Sequence, residues 1–489
     1  MYKKINITIL FFLALAGSYA DGFHNINGFF GERATGMGGA FTAISDDPSG
    51  TYYNPAGLSF SYDDSISMSI FSYNSVQKTY QDIWGPGQNL VENLNNFSPN
   101  FIGSIKSFGK YKFGLSLVNK ISQSSRRYEQ LNLSLYFPDV KDAIRQETSE
   151  TNQILLGPSL SMLLTPKLSI GGSLYMFRDI EYLASSSLFR TSDTGLVQTS
   201  RDDRTTNGIY PIFGLLYAIR PKVSLGFSVS RTMPSSRGKR YQNSFIVSTS
   251  NTSQDGVAVM QGSQSGSGGK INDSLGFSGP VFSAETPKIN EYRIGIAWFP
   301  NSKFLMAFDT VYTDGYRRSQ DQTRYFYSGS SIKHVILTEN ENSELYRSPT
   351  LNLAFGLEYF PKETLSLRGG VFTNRANTKK IKWADTLLIN SISNFGEDSI
   401  LNLANTSNQQ VSILYVPQIG ELFGEKSRGE YINTIGYCLG ISWNLPSASF
   451  NLSVVYEHGK GNSKIENSNP LQTVIYEAVS MYLAVSSKQ

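Results

Sequence analysis

The sequence predicts an all-β fold: a transmembrane antiparallel β-barrel of about 14 strands whose lumen is plugged by an N-terminal hatch. Three observations carry this reading. An export signal is followed by no apolar helical span, apolar residues recur with period two, and short proline-marked turns alternate with long polar stretches. Only helices and closed barrels satisfy their backbone inside a bilayer, so a membrane chain without apolar runs of ~20 residues is left with the barrel. Aromatic residues at 13% against charged residues at 17%, with 43 glycines, suit strands that turn one face to lipid.

Residues 1–20 are the first element. Lys3 and Lys4 precede an apolar run from Ile5 to Ala16, and Ser18 and Ala20 are small, which predicts a signal peptide cut between Ala20 and Asp21. Asp21 in place of cysteine argues against lipid attachment there. The net charge of +4 falls to +2 once Lys3 and Lys4 leave, so no nucleic-acid partner is expected. Cys438 is the single cysteine and forms no internal disulfide.

The strands come next, within residues 61–489. Val223, Leu225, Phe227 and Val229 alternate with Ser224, Gly226, Ser228 and Ser230. The same period runs through Leu351 to Leu357, Leu365 to Val371 and Phe450 to Tyr456. A soluble sandwich shares that period, so connection lengths decide. Short turns fall near Gly109-Lys110, Thr165 to Lys167, Arg220 to Lys222, Pro300 to Lys303, Pro361 to Thr364 and Leu445 to Ala448. Between them lie polar stretches at 75–100, 123–151, 183–207, 233–289, 316–349, 375–432 and 460–472, read as loops. Short turns alternating with long loops mark outer-membrane barrels. Six hairpins supply twelve strands, and segments near 62–74 and 473–485 complete fourteen.

Residues 21–60 precede the first strand. Gly36, Gly38 and Gly39 permit close backbone approach, and Asp46-Asp47-Pro48 and Asn54-Pro55 read as turns, so the segment is expected to fold as a hatch inside the lumen. Gly31, Arg33-Ala34, Gly36-Met37-Gly38-Gly39-Ala40, Ala43, Asp46-Asp47 and Asn54-Pro55-Ala56 resemble the N-terminal hatch of the FadL family. These are outer-membrane transporters of long-chain fatty acids, toluene and related compounds. The resemblance implies passive transport of a hydrophobic small molecule, captured by external loops and gated by the hatch, with no cofactor and no enzymatic activity. It also implies lateral release at a kink in the third strand, here about 111–122, with Gly114 as the expected weak point. A monomer in the outer membrane with both termini periplasmic is expected. Barrels similar to FadL that dock proteins, such as the PorV component of a secretion system, carry much the same motif, so a docking role without lipid transport stays open. The family's terminal aromatic residue is replaced by Ser486-Ser487-Lys488-Gln489, with Tyr482 several positions earlier.

Other chemistry is weak in the sequence. Gly36 to Gly39 lacks the preceding strand and following helix of a dinucleotide loop. Gly262-Ser263-Gln264-Ser265-Gly266 has the glycines of a nucleophile elbow but Gln264 at its centre. His24, His334 and His458 form no cluster with cysteines, so no metal is expected. Asp309, Glu358 and Arg368 fall on the inward face by alternation, because Arg368 against lipid costs about 2–4 kcal/mol. They are candidate lumen charges that latch the hatch through Arg33 or Asp46. Arg231, Arg237, Lys239 and Arg240 form a basic cluster suited to lipopolysaccharide phosphates or to a solvated loop.

Overall fold

The computed structural model describes residues 24–61, 64–82, 87, 89–130, 140–191, 194–234, 238–250, 259–262, 276–278, 282–284, 287–327, 337–378, 430–463 and 472–488. The expected signal peptide at 1–20, Arg237 and most of the 375–432 stretch lie outside them.

Fourteen strands close into one antiparallel ring. They are β1 (Ser65–Tyr80), β2 (Leu90–Ser98, resuming as Phe101–Phe108), β3 (Tyr111–Gln130), β4 (Val140–Thr165), β5 (Leu168–Thr191), β6 (Thr194–Arg220) and β7 (Val223–Arg231). The second half is β8 (Asn290–Asn301), β9 (Phe304–Thr313), β10 (Thr350–Lys362), β11 (Leu365–Asn374), β12 (Glu430–Asn444), β13 (Ala448–Ser463) and β14 (Gln472–Lys488). Each pairs with its successor, and β1 closes on β14 with Ser65 opposite Lys488 and Tyr80 opposite Val474. Closure leaves no strand edge unpaired within the ring.

The sequence alternation is the alternation of the two faces. Leu439 is 72% exposed and its neighbour Cys438 2%. Ser224, Ser228 and Ser230 are buried, whereas Leu225, Leu353, Phe355, Leu452 and Val454 point outward and are exposed. The outward strand faces carry the exposed large apolar side chains, and no helix among the described residues is long and apolar enough to cross a membrane. At the short-turn end the turns are stitched together. Ala218 N–H donates to Lys167 O at 2.7 Å, Phe299 N–H to Lys222 O at 2.8 Å, and Phe360 N–H to Lys303 O at 2.9 Å.

Three stretches read as loops are largely strand: 75–100, where β1 runs to Tyr80 and β2 starts at Leu90, and the two that follow. Residues 123–151 and 183–207 carry β3 to Gln130, start β4 at Val140, carry β5 to Thr191 and start β6 at Thr194. β4, β5 and β6 are 26, 24 and 27 residues long, where about 9–11 suffice to cross a bilayer. Beyond the lipid both faces of a strand meet water, so apolar alternation stops while the backbone ladder continues. Part of 316–349 is likewise a hairpin, Tyr316–Tyr327 against Leu337–Arg347.

Register slips occur at several strand pairs, and the one on β3 adjoins a break in its neighbour. β2 breaks at Pro99-Asn100, where proline offers no N–H to the ladder. The adjacent β3 slips register against β4 between Asn119 and Ile121, leaving Lys120 as the extra residue. Asn119 ties the two sites together by donating its N–H to Asn100 O at 2.9 Å.

The segment ahead of β1 holds α1 (Glu32–Gly36), α2 (Gly50–Tyr53) and a 3-10 turn (Pro55–Phe60). It begins at His24, bonded to Ile432 O at 2.8 Å and bridged to Ala376, far from the short turns, and ends beside them at Ser61. Its residues touch the inward faces of strands on every side of the ring and therefore lie in the lumen. Phe29, Phe30, Met37, Phe41, Tyr52 and Tyr53 pack there with Phe101, Val118, Leu155, Tyr175 and Tyr210 of the wall as one buried core.

Candidate functional site

The seam between the N-terminal segment and the barrel wall holds the buried charges Glu32, Asp309, Glu358 and Arg368, while Lys78, Glu92 and Glu430 form a separate buried group on β1, β2 and β12. The seam's first centre is ionic. Glu358 on β10 receives Arg33 Nη2 at 2.8 Å and Nε at 3.2 Å on one oxygen, and Arg368 Nε of β11 at 2.7 Å on the other. Arg33 also pairs with Asp46. Arg368 donates on to Asn451 Oδ1 at 2.7 Å and to Glu32 O at 3.4 Å. Glu32 in turn accepts from Ser449 Oγ at 2.8 Å and from the Asn451 amide. Glu358 and Glu32 are buried, so each needs these donors.

The second centre is Asp309 on β9. Its Oδ2 accepts the backbone N–H groups of Phe41 at 2.9 Å and Thr42 at 2.8 Å. A carboxylate receiving two backbone donors makes charge-assisted bonds, the stronger kind. The three lumen charges predicted from alternation thus all contact the N-terminal segment.

A third set consists of small wall residues whose hydroxyls satisfy the carbonyls of the segment. Ser161 and Ser169 donate to Ala56 O at 3.1 and 2.6 Å, Ser173 to Thr51 O at 2.6 Å, Ser224 to Ala43 O at 2.6 Å and Ser228 to Tyr53 O at 2.8 Å. Asn100 at the β2 break donates to Phe29 O and Asn374 to Ile26 O, both at 2.8 Å. Irregular backbone at this depth is tolerated where such groups meet it. These serines were visible in the sequence as the small inward face of the strands, but nothing there marked them as donors to the segment.

The remaining motif residues explain how the segment turns. Gly31 caps α1 at φ 81°, and Gly38 and Gly39 lie at φ 65° and 82°, a region that favours glycine. Gly36 sits against Arg368, where an added Cβ would lie 2.9 Å from the arginine's own. The Asn54 amide donates to Thr42 O at 2.8 Å and Leu215 O at 3.1 Å, while its Oδ1 accepts Ala56 N–H at 3.2 Å and Pro55 opens the 3-10 turn. Asp47 Oδ1 accepts Ser49 N–H at 2.8 Å and Ser49 Oγ, while Oδ2 is buried with no partner among the described residues. Burial pushes the Asp47 carboxyl up to about 6, opposed by the Ser49 hydrogen bond.

Aromatic side chains line the same seam. Arg293 on β8, bound to Glu291 at 2.7 Å, lies over the rings of Tyr52 and Tyr53 at 5.6 and 5.3 Å. Lys120, at the β3 bulge, lies over the Tyr210 ring at 4.7 Å. Sequence reading missed Glu291, Arg293 and Lys120. Gly114 is in continuous register with Ile105 and Ser159 and faces Thr51, so the slip on this strand falls at Lys120. Arg231 ends β7, and Lys239 and Arg240 lie on Gly238–Ser250, which pairs with the upper part of β6.

No protein-family profile and no curated protein matches the sequence. Among solved structures, a Pseudomonas aeruginosa FadL homologue superposes with a TM-score of 0.56 at 13% identity, covering 96% of this chain and 99% of that one. The CymD monoaromatic hydrocarbon channel gives 0.52 at 14% identity, over 95% and 99% of the two chains. The Ralstonia pickettii toluene transporter TbuX gives 0.52 at 12%, over the same shares. At these identities the likeness establishes a common fold over nearly the whole chain.

Proposed function

We propose that this chain is an outer-membrane channel through which small hydrophobic molecules move down their concentration gradient, with residues 21–60 acting as a hatch. The observation that carries the reading is the seam. It joins the segment to the wall through separate hydrogen bonds, one ion-pair centre and a shared apolar core, none of them part of the strand ladder, so it can part without unfolding the ring. The fold shared with a monoaromatic hydrocarbon channel and a toluene transporter supports hydrophobic cargo. Long-chain fatty acids and hydrocarbons are the cargo classes we assign, captured by the external loops. With the short turns toward the periplasm the C-terminus lies on that side, while the hatch starts inside the lumen toward the outer face.

Lateral release between β2 and β3 fits the paired irregularity at Pro99-Asn100 and Lys120, where the wall has lost regular ladder bonds. Lys120 supplies a cation beside the rings of Tyr210 and Tyr52, with Arg293 and Glu291 close by, and ligand sites combine an apolar surface with few polar groups. The test is uptake of a labelled chain-length series by cells with and without the protein, joined to mass spectrometry of lipids extracted from purified protein. Uptake that depends on the protein and a bound fatty acid or hydrocarbon are expected. An empty lumen with a co-purifying protein and no change in uptake would replace the reading with protein docking.

A further inference from the structure

The short-turn end carries a ring of cations that the transport reading does not use. Lys106, Lys110, Lys167, Arg220, Lys303 and Lys362 are all exposed and lie in or beside five of the six short turns. None of the six forms an ion pair within 4 Å among the described residues; Lys110 lies over the Tyr111 ring at 5.2 Å, and Lys106 acts on Asp64 through space. Lys112 and Lys222 add two more, bonded only to Ser107 Oγ and Pro300 O at 2.7 Å. The described acids of the turns and their flanks are Asp64, held by Ser107, and Glu363. Just inside the ring, on the outward face, stand the exposed aromatics Tyr111, Phe113, Tyr217, Trp298, Trp443 and Phe450. That order, apolar wall, aromatic girdle, then cations, is the order of acyl chain, interface and headgroup in a bilayer leaflet.

We propose that this ring holds the headgroups of anionic phospholipids in the leaflet facing the short turns. The distribution selects this occupant. Successive turns are two strands apart, about 10 Å, and the charges recur around most of the circumference. An annulus of lipids touches all of them, whereas one acidic protein would meet a single side. The Leu445–Ala448 turn carries no charge and leaves a gap.

The purified full chain in phosphatidylcholine vesicles, probed with spin-labelled phosphatidylglycerol or phosphatidylcholine, tests the assignment. The wild type is expected to prefer phosphatidylglycerol by about fivefold at low salt. The preference falls toward parity in molar salt and in a K110Q/K167Q/R220Q/K303Q/K362Q variant, and persists in K110R/K167R/K303R/K362R. Parity in the wild type, or an unchanged preference in the glutamine variant, overturns the proposal. If the glutamine variant fails to fold, the salt series on the wild type decides alone, because a headgroup contact at an exposed rim is screened.

Discussion

Arg33 of the N-terminal segment lies 2.8 Å from Glu358 on β10, although 325 positions separate them in the chain. Glu358 is fully buried and its other oxygen already holds Arg368, so one carboxylate joins the segment to the wall. Removing it leaves Arg368 without its carboxylate and Arg33 with Asp46 alone. Breaking a buried pair this way costs about 3–5 kcal/mol. In Glu358→Gln, hydrogen exchange of the backbone over 32–47 is expected to accelerate by about a hundredfold or more, while the barrel keeps its heat-modifiable migration on gels. Arg368→Glu is expected to act in the same direction and more strongly, because it sets a new carboxylate beside Glu358 and Glu32. Unchanged exchange in both variants would remove the latch.

Steric fit gives a second, independent prediction. A Cβ at Gly226 would stand 2.1 Å from Thr42 O, which is backbone and cannot swing aside. Gly226→Ala is therefore expected to displace the segment around Phe41 to Ala43 and break its bonds to Asp309. A cysteine placed at Thr42 should then react with a water-soluble maleimide. Gly172→Ala is the control, since its nearest neighbour is Ile212 O at 3.7 Å, and it should leave that labelling at the wild-type level.

Much of the ring was legible in the sequence and most of the seam was not. Outward apolar residues, inward small ones and proline turns fix strands and their order, because lipid penalises any other pattern. That signal vanishes where both faces are wet, which is why 123–151 and 183–207 resembled loops. The inward orientation of Asp309, Glu358 and Arg368 follows from the same alternation. Their partners do not, because Phe41 and Arg33 meet them 268 and 325 positions away through a segment with no period of its own. Lys120 was hidden for a related reason: a bulge breaks the alternation that would have assigned its face.

Acidity should tighten the seal. Burial holds the Asp47 carboxyl at about 6 against an ordinary value of 3.8, so the docked segment binds a proton more readily than the released one. Docking is then tightest below about pH 4 and weakens as pH rises through 6. The extent of opening over 45–53, read as exchange relative to the intrinsic amide rate or as hatch-opening conductance in planar bilayers, should rise between about pH 4 and pH 6. Asp47→Asn, which cannot titrate, should flatten that profile. A wild-type profile that is flat, or that falls over this interval, would contradict the assignment.

The ammonium of Lys120 separates cargo classes. It lies at the β3 bulge beside the β2 break, over Tyr210, and forms no ion pair among the described residues. A carboxylate passing this point would gain a charge-assisted hydrogen bond of about 1.5–3 kcal/mol, whereas a neutral hydrocarbon would gain nothing comparable. Lys120→Met keeps the length and apolar character of the stem and removes the charge. The half-saturating concentration for a long-chain fatty acid is expected to rise about tenfold or more, with toluene uptake unchanged. Equal loss for both would make Lys120 a structural residue of the bulge. No loss for either would place the exit path elsewhere in the ring.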